Sequence, residues 1–183
     1  MMGKQVPKVI TLRTGVVVAM LFAAVVFRLL PHPPNFTPLG AMAIFGGACF
    51  ADIRLAFILP VAALYLSNAA MGYFEVAISV YSSFLLNVAL GRWLRSHRTI
   101  ASTAVITVIG SIQFFVITNF ACWLTMYPQS LAGFLNCYTS AIPYFENTLL
   151  GDGFYATLLF GGLALAEKGF PAIREPLSQP MAA

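Results

Sequence analysis

Few residues in this 183-residue chain can do chemistry, and most of them fall in three stretches. The first is Pro31-His32-Pro33-Pro34-Asn35-Phe36-Thr37-Pro38, where four prolines in eight residues fix most φ angles and make a stiff loop. The second holds Ser67, Asn68, Tyr73 and Glu75. The third runs from Tyr127 to Gly153 and contains Asn136, Cys137, Tyr138, Tyr144, Glu146, Asn147 and Asp152, with Gln113, Asn119 and Trp123 just ahead of it. Amides, phenols and a few carboxylates set among apolar residues are what a pocket for a small molecule requires. The same types have a plainer use: Tyr and Trp anchor helix ends at a membrane interface, and Asn or Gln inside a span bonds a neighbouring helix. Gln113, alone in the middle of an apolar run, reads as such an interhelical contact.

His32, Glu146 and Asp152 could exchange protons with a substrate if the fold brought them together. A membrane-embedded enzyme built on them is therefore a second reading. No Ser-His-Asp, H-E-x-x-H, phosphate-loop or dinucleotide-binding pattern accompanies them, so the chain reads as a non-enzyme without cofactor. His32 has prolines for neighbours and no second His or Cys at ligand spacing, which points away from a metal. Cys49, Cys122 and Cys137 form no C-x-x-C pair. Cys122 and Cys137 fall on the same side and leave both a disulfide and two packing thiols open.

The elements that must position these residues follow from composition. Hydrophobic residues make up 60% of the chain and charged ones 9%, against roughly 45–50% and about 25% in soluble domains. That excludes a soluble enzyme, a disordered chain and a nucleic-acid-binding domain. Apolar runs bounded by charges and turn residues fall at 9–30, 38–50, 55–70, 76–90, 100–126 and 149–166. The chain thus reads as an all-α integral membrane bundle of six transmembrane helices. It has a basic stretch at 1–14, a membrane domain at 15–168 and a disordered tail at 169–183. The segment from 127 to 148 is expected to be a long loop.

Lys and Arg set the orientation. With the N-terminus inside, Lys4, Lys8, Arg13, Arg54, Arg92, Arg95, Arg98, Lys168 and Arg174 are cytoplasmic, nine of the ten basic residues; the tenth, Arg28, reads as a snorkelling helix-end residue. Both termini are then cytoplasmic, and the net charge of +4 reflects orientation rather than an acidic partner. The first segment reads as helix one rather than a cleaved leader, because no A-x-A-like site follows it. Gly15, Ala19 and Ala23 recur at i, i+4 and i+8, a stripe that lets another helix approach closely, inside the bundle or from a partner. A non-catalytic accessory subunit using that stripe is a third reading.

Two stretches carry a family resemblance: Pro33-Pro34-Asn35-Phe36-Thr37-Pro38-Leu39-Gly40-Ala41 with Phe45-Gly46-Gly47-Ala48, and Cys137-Tyr138 through Ala141-Ile142-Pro143-Tyr144-Phe145-Glu146-Asn147-Thr148-Leu149-Leu150-Gly151-Asp152. They resemble an uncharacterised bacterial family of membrane transport proteins, over about residues 15–166. That family is similar to the S-components, the substrate-binding subunits of energy-coupling-factor (ECF) vitamin transporters. The resemblance implies a six-helix protein of the bacterial cytoplasmic membrane that captures a vitamin-like or other nutrient solute under its outer loops. It also implies docking through Gly15, Ala19 and Ala23 to a transmembrane coupling subunit driven by ATPases. The residues expected to touch the solute are His32, Asn35, Asn68, Tyr138, Tyr144, Asn147 and Asp152.

Overall fold

The computed structural model describes residues 11–71 and 76–174. Lys4, Lys8, Tyr73, Glu75 and residues 175–183 lie outside the described residues. The chain is all-helical: α1 (Leu12–Leu29), α2 (Leu39–Cys49), α3 (Ile53–Met71), α4 (Ala77–Leu94), α5 (Ile100–Met126) and α6 (Leu131–Gly169), followed by a 3-10 turn at Pro171–Ile173. Three of these, α1, α5 and α6, are long and apolar enough to cross a membrane.

The surface is inverted relative to a water-soluble protein. Large apolar side chains face outward, with Phe22 68% and Ile100 93% exposed, while Ser67, Asn68, Ser83, Asn87, Ser111 and Asp152 are buried. An apolar exterior over polar interior contacts suits a hydrocarbon solvent, where helix-to-helix polar bonds supply specificity. Gln113 behaves as expected of an interhelical contact. It donates from Nε2 to Asn87 Oδ1 at 3.0 Å and accepts from Ser83 Oγ at 2.9 Å, tying α5 to α4.

The centre is α2. It packs against α1, α3, α4, α5 and α6, and every residue from Gly40 to Cys49 is buried. At 11 residues it is about 17 Å long, roughly half of the 30 Å hydrocarbon thickness. Close approach explains its glycines. A Cβ on Gly47 would strike the Val88 carbonyl of α4, and one on Gly91 of α4 would strike the Ile44 carbonyl of α2.

A buried helix must satisfy its terminal N–H and carbonyl groups from outside itself. At the C-terminus of α2, Arg92 donates to the Phe50 carbonyl at 2.9 Å and Arg95 to the Ala48 and Phe50 carbonyls at 3.2 Å each. At the N-terminus the cap position is Pro38, which has no side-chain acceptor. Asp152 of α6 supplies one instead: its Oδ1 accepts from the Ala41 N–H at 3.1 Å. Negative charge at the N-terminus and positive charge at the C-terminus both complement the helix dipole.

Two sequence expectations are corrected. The segment 127–148 is a loop only at its start, because Ser130 caps a new helix by accepting from the Gly133 N–H at 3.1 Å. Helix α6 then runs 39 residues through Pro143, about 58 Å, so Tyr138, Tyr144 and Asn147 stand on a helix. The 169–183 tail also begins with structure. Ile173 is buried, and its carbonyl accepts from Arg13 at 3.2 Å.

The basic residues Arg13, Arg92, Arg95, Arg98 and Arg174 gather at one end. Arg13 pairs with Glu167, Arg98 lies 3.9 Å from the same carboxylate, and Arg174 donates to the Glu167 carbonyl at 2.7 Å. Arg28, at the C-terminus of α1, lies at the opposite end.

Candidate functional site

At the end opposite the basic cluster lies a cavity of about 470 Å3. Six parts of the chain build it, Leu39 and Gly40 at the start of α2 among them. Arg28 closes α1; His32, Asn35 and Thr37 come from the proline-rich connector; Val80 comes from α4. Phe114, Phe115 and Thr118 line it from α5, and Ala141, Tyr144, Phe145 and Asp152 from α6.

The connector is held in one shape. Asn35 adopts φ 63°, the left-handed region in which Asn is tolerated. Around it the Phe36 N–H donates to the Pro33 carbonyl at 3.0 Å and the Thr37 N–H to the Asn35 carbonyl at 2.9 Å. His32 Nδ1 lies 2.9 Å from the Pro33 carbonyl and Nε2 lies 3.1 Å from the Arg28 carbonyl. Both partners are acceptors, and the single N–H of a neutral imidazole can donate to one of them. Asn147 of α6 donates to the Pro34 carbonyl at 3.0 Å and ties the connector down.

Two buried charged side chains border the cavity. Asp152 is 2% exposed; its Oδ2 accepts from Ser111 Oγ at 2.7 Å while Oδ1 caps α2. A Cβ on Gly40 would run into this carboxylate, which is why a side-chain-free residue stands there. Arg28 is 6% exposed and is held by neutral groups. It donates to Ser67 Oγ and, from Nη2, to Asn68 Oδ1 at 2.7 Å. Asn68 is oriented in turn by donating to Tyr81 OH at 3.2 Å. Arg28 Nε is buried and makes no hydrogen bond. Among the described residues, no carboxylate forms an ion pair with Arg28.

Of the residues expected to touch a solute, His32, Asn35, Tyr144 and Asp152 line this cavity together. Asn68, Tyr138 and Asn147 stand behind it. Asn68 positions Arg28; Tyr138 donates to the Val116 carbonyl at 2.8 Å and packs on Phe115 and Phe134, pinning α6 to α5. Of the acid–base trio, His32 and Asp152 meet at the cavity, while Glu146 is exposed and outside its lining. Cys122 lines the cavity and is a free thiol, as is Cys137, whose Sγ lies 3.4 Å from the Asn119 carbonyl. Among the described residues, no group of three or more metal-ligating side chains exists.

The charged lining residue that sequence reasoning missed is Arg28. A signal was available, since Arg28 is the one basic residue of ten on its side of the charge tally. Gly15, Ala19 and Ala23 are all exposed on one face of α1, and a Cβ on Gly15 would meet nothing. Within the described chain, that stripe is not used for internal packing.

A larger groove, about 720 Å3, runs between the basic-end half of α5 and the second half of α6. Its walls are apolar or small, including Ile100, Ala104, Val108, Phe160 and Gly161, and its charged member, Arg98, sits at the rim. Its threonines Thr103, Thr107 and Thr157 donate their hydroxyl protons to carbonyls four residues earlier, so little is left with which to select a solute.

No curated protein and no solved structure matches the chain. A family of unknown function, DUF6580, matches over residues 8–173, nearly its whole length, and the protein belongs to that family.

Proposed function

We propose that this protein is a multi-pass transport protein of the bacterial cytoplasmic membrane, S-component-like, that captures a small nutrient solute at an outward-facing pocket for uptake. In this reading all six helices belong to the membrane domain, with both termini cytoplasmic and the basic cluster inside. The observation that carries it is the 470 Å3 cavity at the end opposite that cluster. Its volume falls in the range of small-molecule sites, and it combines aromatic walls with a few fixed polar groups. Its rigid floor, the doubly capped α2, keeps those groups in place without a ligand.

The exposed Gly15, Ala19 and Ala23 face supports a role in docking to a transmembrane coupling subunit with its ATPases. Three small residues at helical spacing, exposed among the described residues, let a partner helix approach closely.

The test is small-molecule retention. The detergent-purified full chain is washed, denatured and its released metabolites are identified by mass spectrometry, alongside Ala141→Phe, which fills the cavity. A metabolite present at stoichiometric level in the wild type and depleted in Ala141→Phe is the expected result. Indistinguishable metabolite content in the two proteins would sink the reading.

A further inference from the structure

Resting on the solute-binding reading above, we infer that the cavity takes a solute bearing one carboxylate on an apolar body, and that Arg28 is the residue that pairs with the carboxylate.

Arg28 combines three properties seldom found together. It is 94% buried, from a 6% exposure; it borders the cavity; and its side-chain partners, Ser67 and Asn68, are both neutral. A guanidinium taken out of water is costly unless a counter-charge meets it, and charged groups inside membrane proteins face such partners or a functional cavity. Its Nε–H remains without an acceptor, although a guanidinium presents its donors as a fork suited to a carboxylate. Ser67 and Asn68 hold the group in place and leave its charge for the solute.

The charge count limits the solute to a single anionic group. His32 turns both ring nitrogens to backbone carbonyls, and Asp152 places a carboxyl group on the same cavity wall. A phosphate dianion would bring a second negative charge against that carboxyl group, with Arg28 the one guanidinium on the lining to meet it. Of the two helix N-termini on the lining, that of α2 is already used, since the Ala41 N–H donates to Asp152, while that of α4, at Val76, offers backbone N–H groups alone. Around the charged corner the wall is apolar: Val80, Phe114, Phe115, Ala141 and Phe145. A monocarboxylate with an aromatic or aliphatic body complements both parts.

The test uses the full-length chain in detergent and an equimolar pool of straight-chain and phenyl-substituted monocarboxylic acids with their primary amides. After desalting, retained molecules are quantified by mass spectrometry. The wild type is expected to retain acids over the matching amides by roughly tenfold or more. That preference should vanish in Arg28→Gln and be only partly kept in Arg28→Lys, which lacks the fork. Asn68→Asp is the second variant: it leaves the arginine in place and supplies an internal counter-ion, so it should also abolish the preference. Equal retention of acids and amides by the wild type overturns the assignment, as does an acid preference surviving in Asn68→Asp or in folded Arg28→Gln. If no pool member is retained above Ala141→Phe, the assignment also falls. The solute-binding reading stands in each case if the metabolite test above finds an uncharged solute.

Discussion

Helix α1 carries a buried arginine near each end, and the two are treated differently. Arg13, 8% exposed, meets the Glu167 carboxylate and the Ile173 carbonyl. Arg28, 6% exposed, meets only an amide and a hydroxyl among side chains. Arg13 belongs to a knot of cations and one carboxylate that joins α1, α6, the 3-10 turn and the connector ahead of α5. Arg28 borders an open cavity. Equal burial with unequal pairing separates a charge used to hold the fold from one available to a ligand.

The largest effect should come from breaking the paired end. Arg13→Gln removes the buried partner of Glu167 and leaves that carboxylate, among the described residues, only Arg98, at 3.9 Å; breaking a buried pair costs up to about 3–5 kcal/mol. Thermal unfolding in detergent should show a large fall, and an unchanged midpoint would mean the pair is only incidental. Asp152→Ala comes next. It removes the acceptor that caps α2 and strands the Ala41 N–H, at about 1–3 kcal/mol, while the Ser111 hydroxyl keeps only the Thr107 carbonyl, at 3.1 Å. Asp152→Asn keeps an acceptor and should lose clearly less, so equal losses in the two variants would refute the capping role.

Gly91→Ala pushes a methyl into the Ile44 carbonyl and should cost about 1–3 kcal/mol by overpacking. A neutral result in the same unfolding assay would mean that α2 and α4 can separate freely. Arg28→Gln should be milder, within about 1 kcal/mol of wild type or slightly stabilising, because it removes a buried charge that has no counter-ion. A collapse as large as that of Arg13→Gln would erase the contrast between the two arginines. The smallest effect belongs to Ala19→Leu, which points outward and should shift stability by no more than about 0.5 kcal/mol. Its consequence should appear in uptake by whole cells, through a lost partner contact, with the purified protein unaffected.

Much of this arrangement was legible in the sequence. The apolar runs at 9–30, 55–70 and 76–90 correspond to α1, α3 and α4, and the run at 100–126 to α5. The short, glycine-rich run at 38–50 is α2. Helix α6 was underestimated because Pro143, Asn136, Glu146 and Asn147 break the apolar pattern. Proline inside a helix costs a hydrogen bond and ordinarily argues for its end. Here Ser130 starts the helix and packing of Phe134, Tyr138 and Phe145 against α5 carries it through. The cap signal at Ser130 is local and could have been read; the packing that overrides Pro143 is not.

The candidate site divides the same way. His32, Asn35, Tyr144 and Asp152 were found because polar residues near helix ends are scarce in so apolar a chain. Asn68, Tyr138 and Asn147 have the same chemistry, yet their hydrogen bonds turn them toward Arg28, Val116 and Pro34. Residue type does not say which way a side chain is used. Asp152 itself serves twice, as part of the cavity wall and as the cap of a helix whose Ala41 N–H lies 111 residues away in the chain.

By itself, then, the sequence determined the class of solvent, the helices and the segregation of basic charge, since these depend on composition and on patterns a few residues long. Only the tertiary structure decided which buried charges meet. The partner of Arg13 is 154 residues away and those of Arg28 are 39 and 40. Pairing is a property of distance in space, set by how the other five helices pack around α2, and no local pattern encodes it.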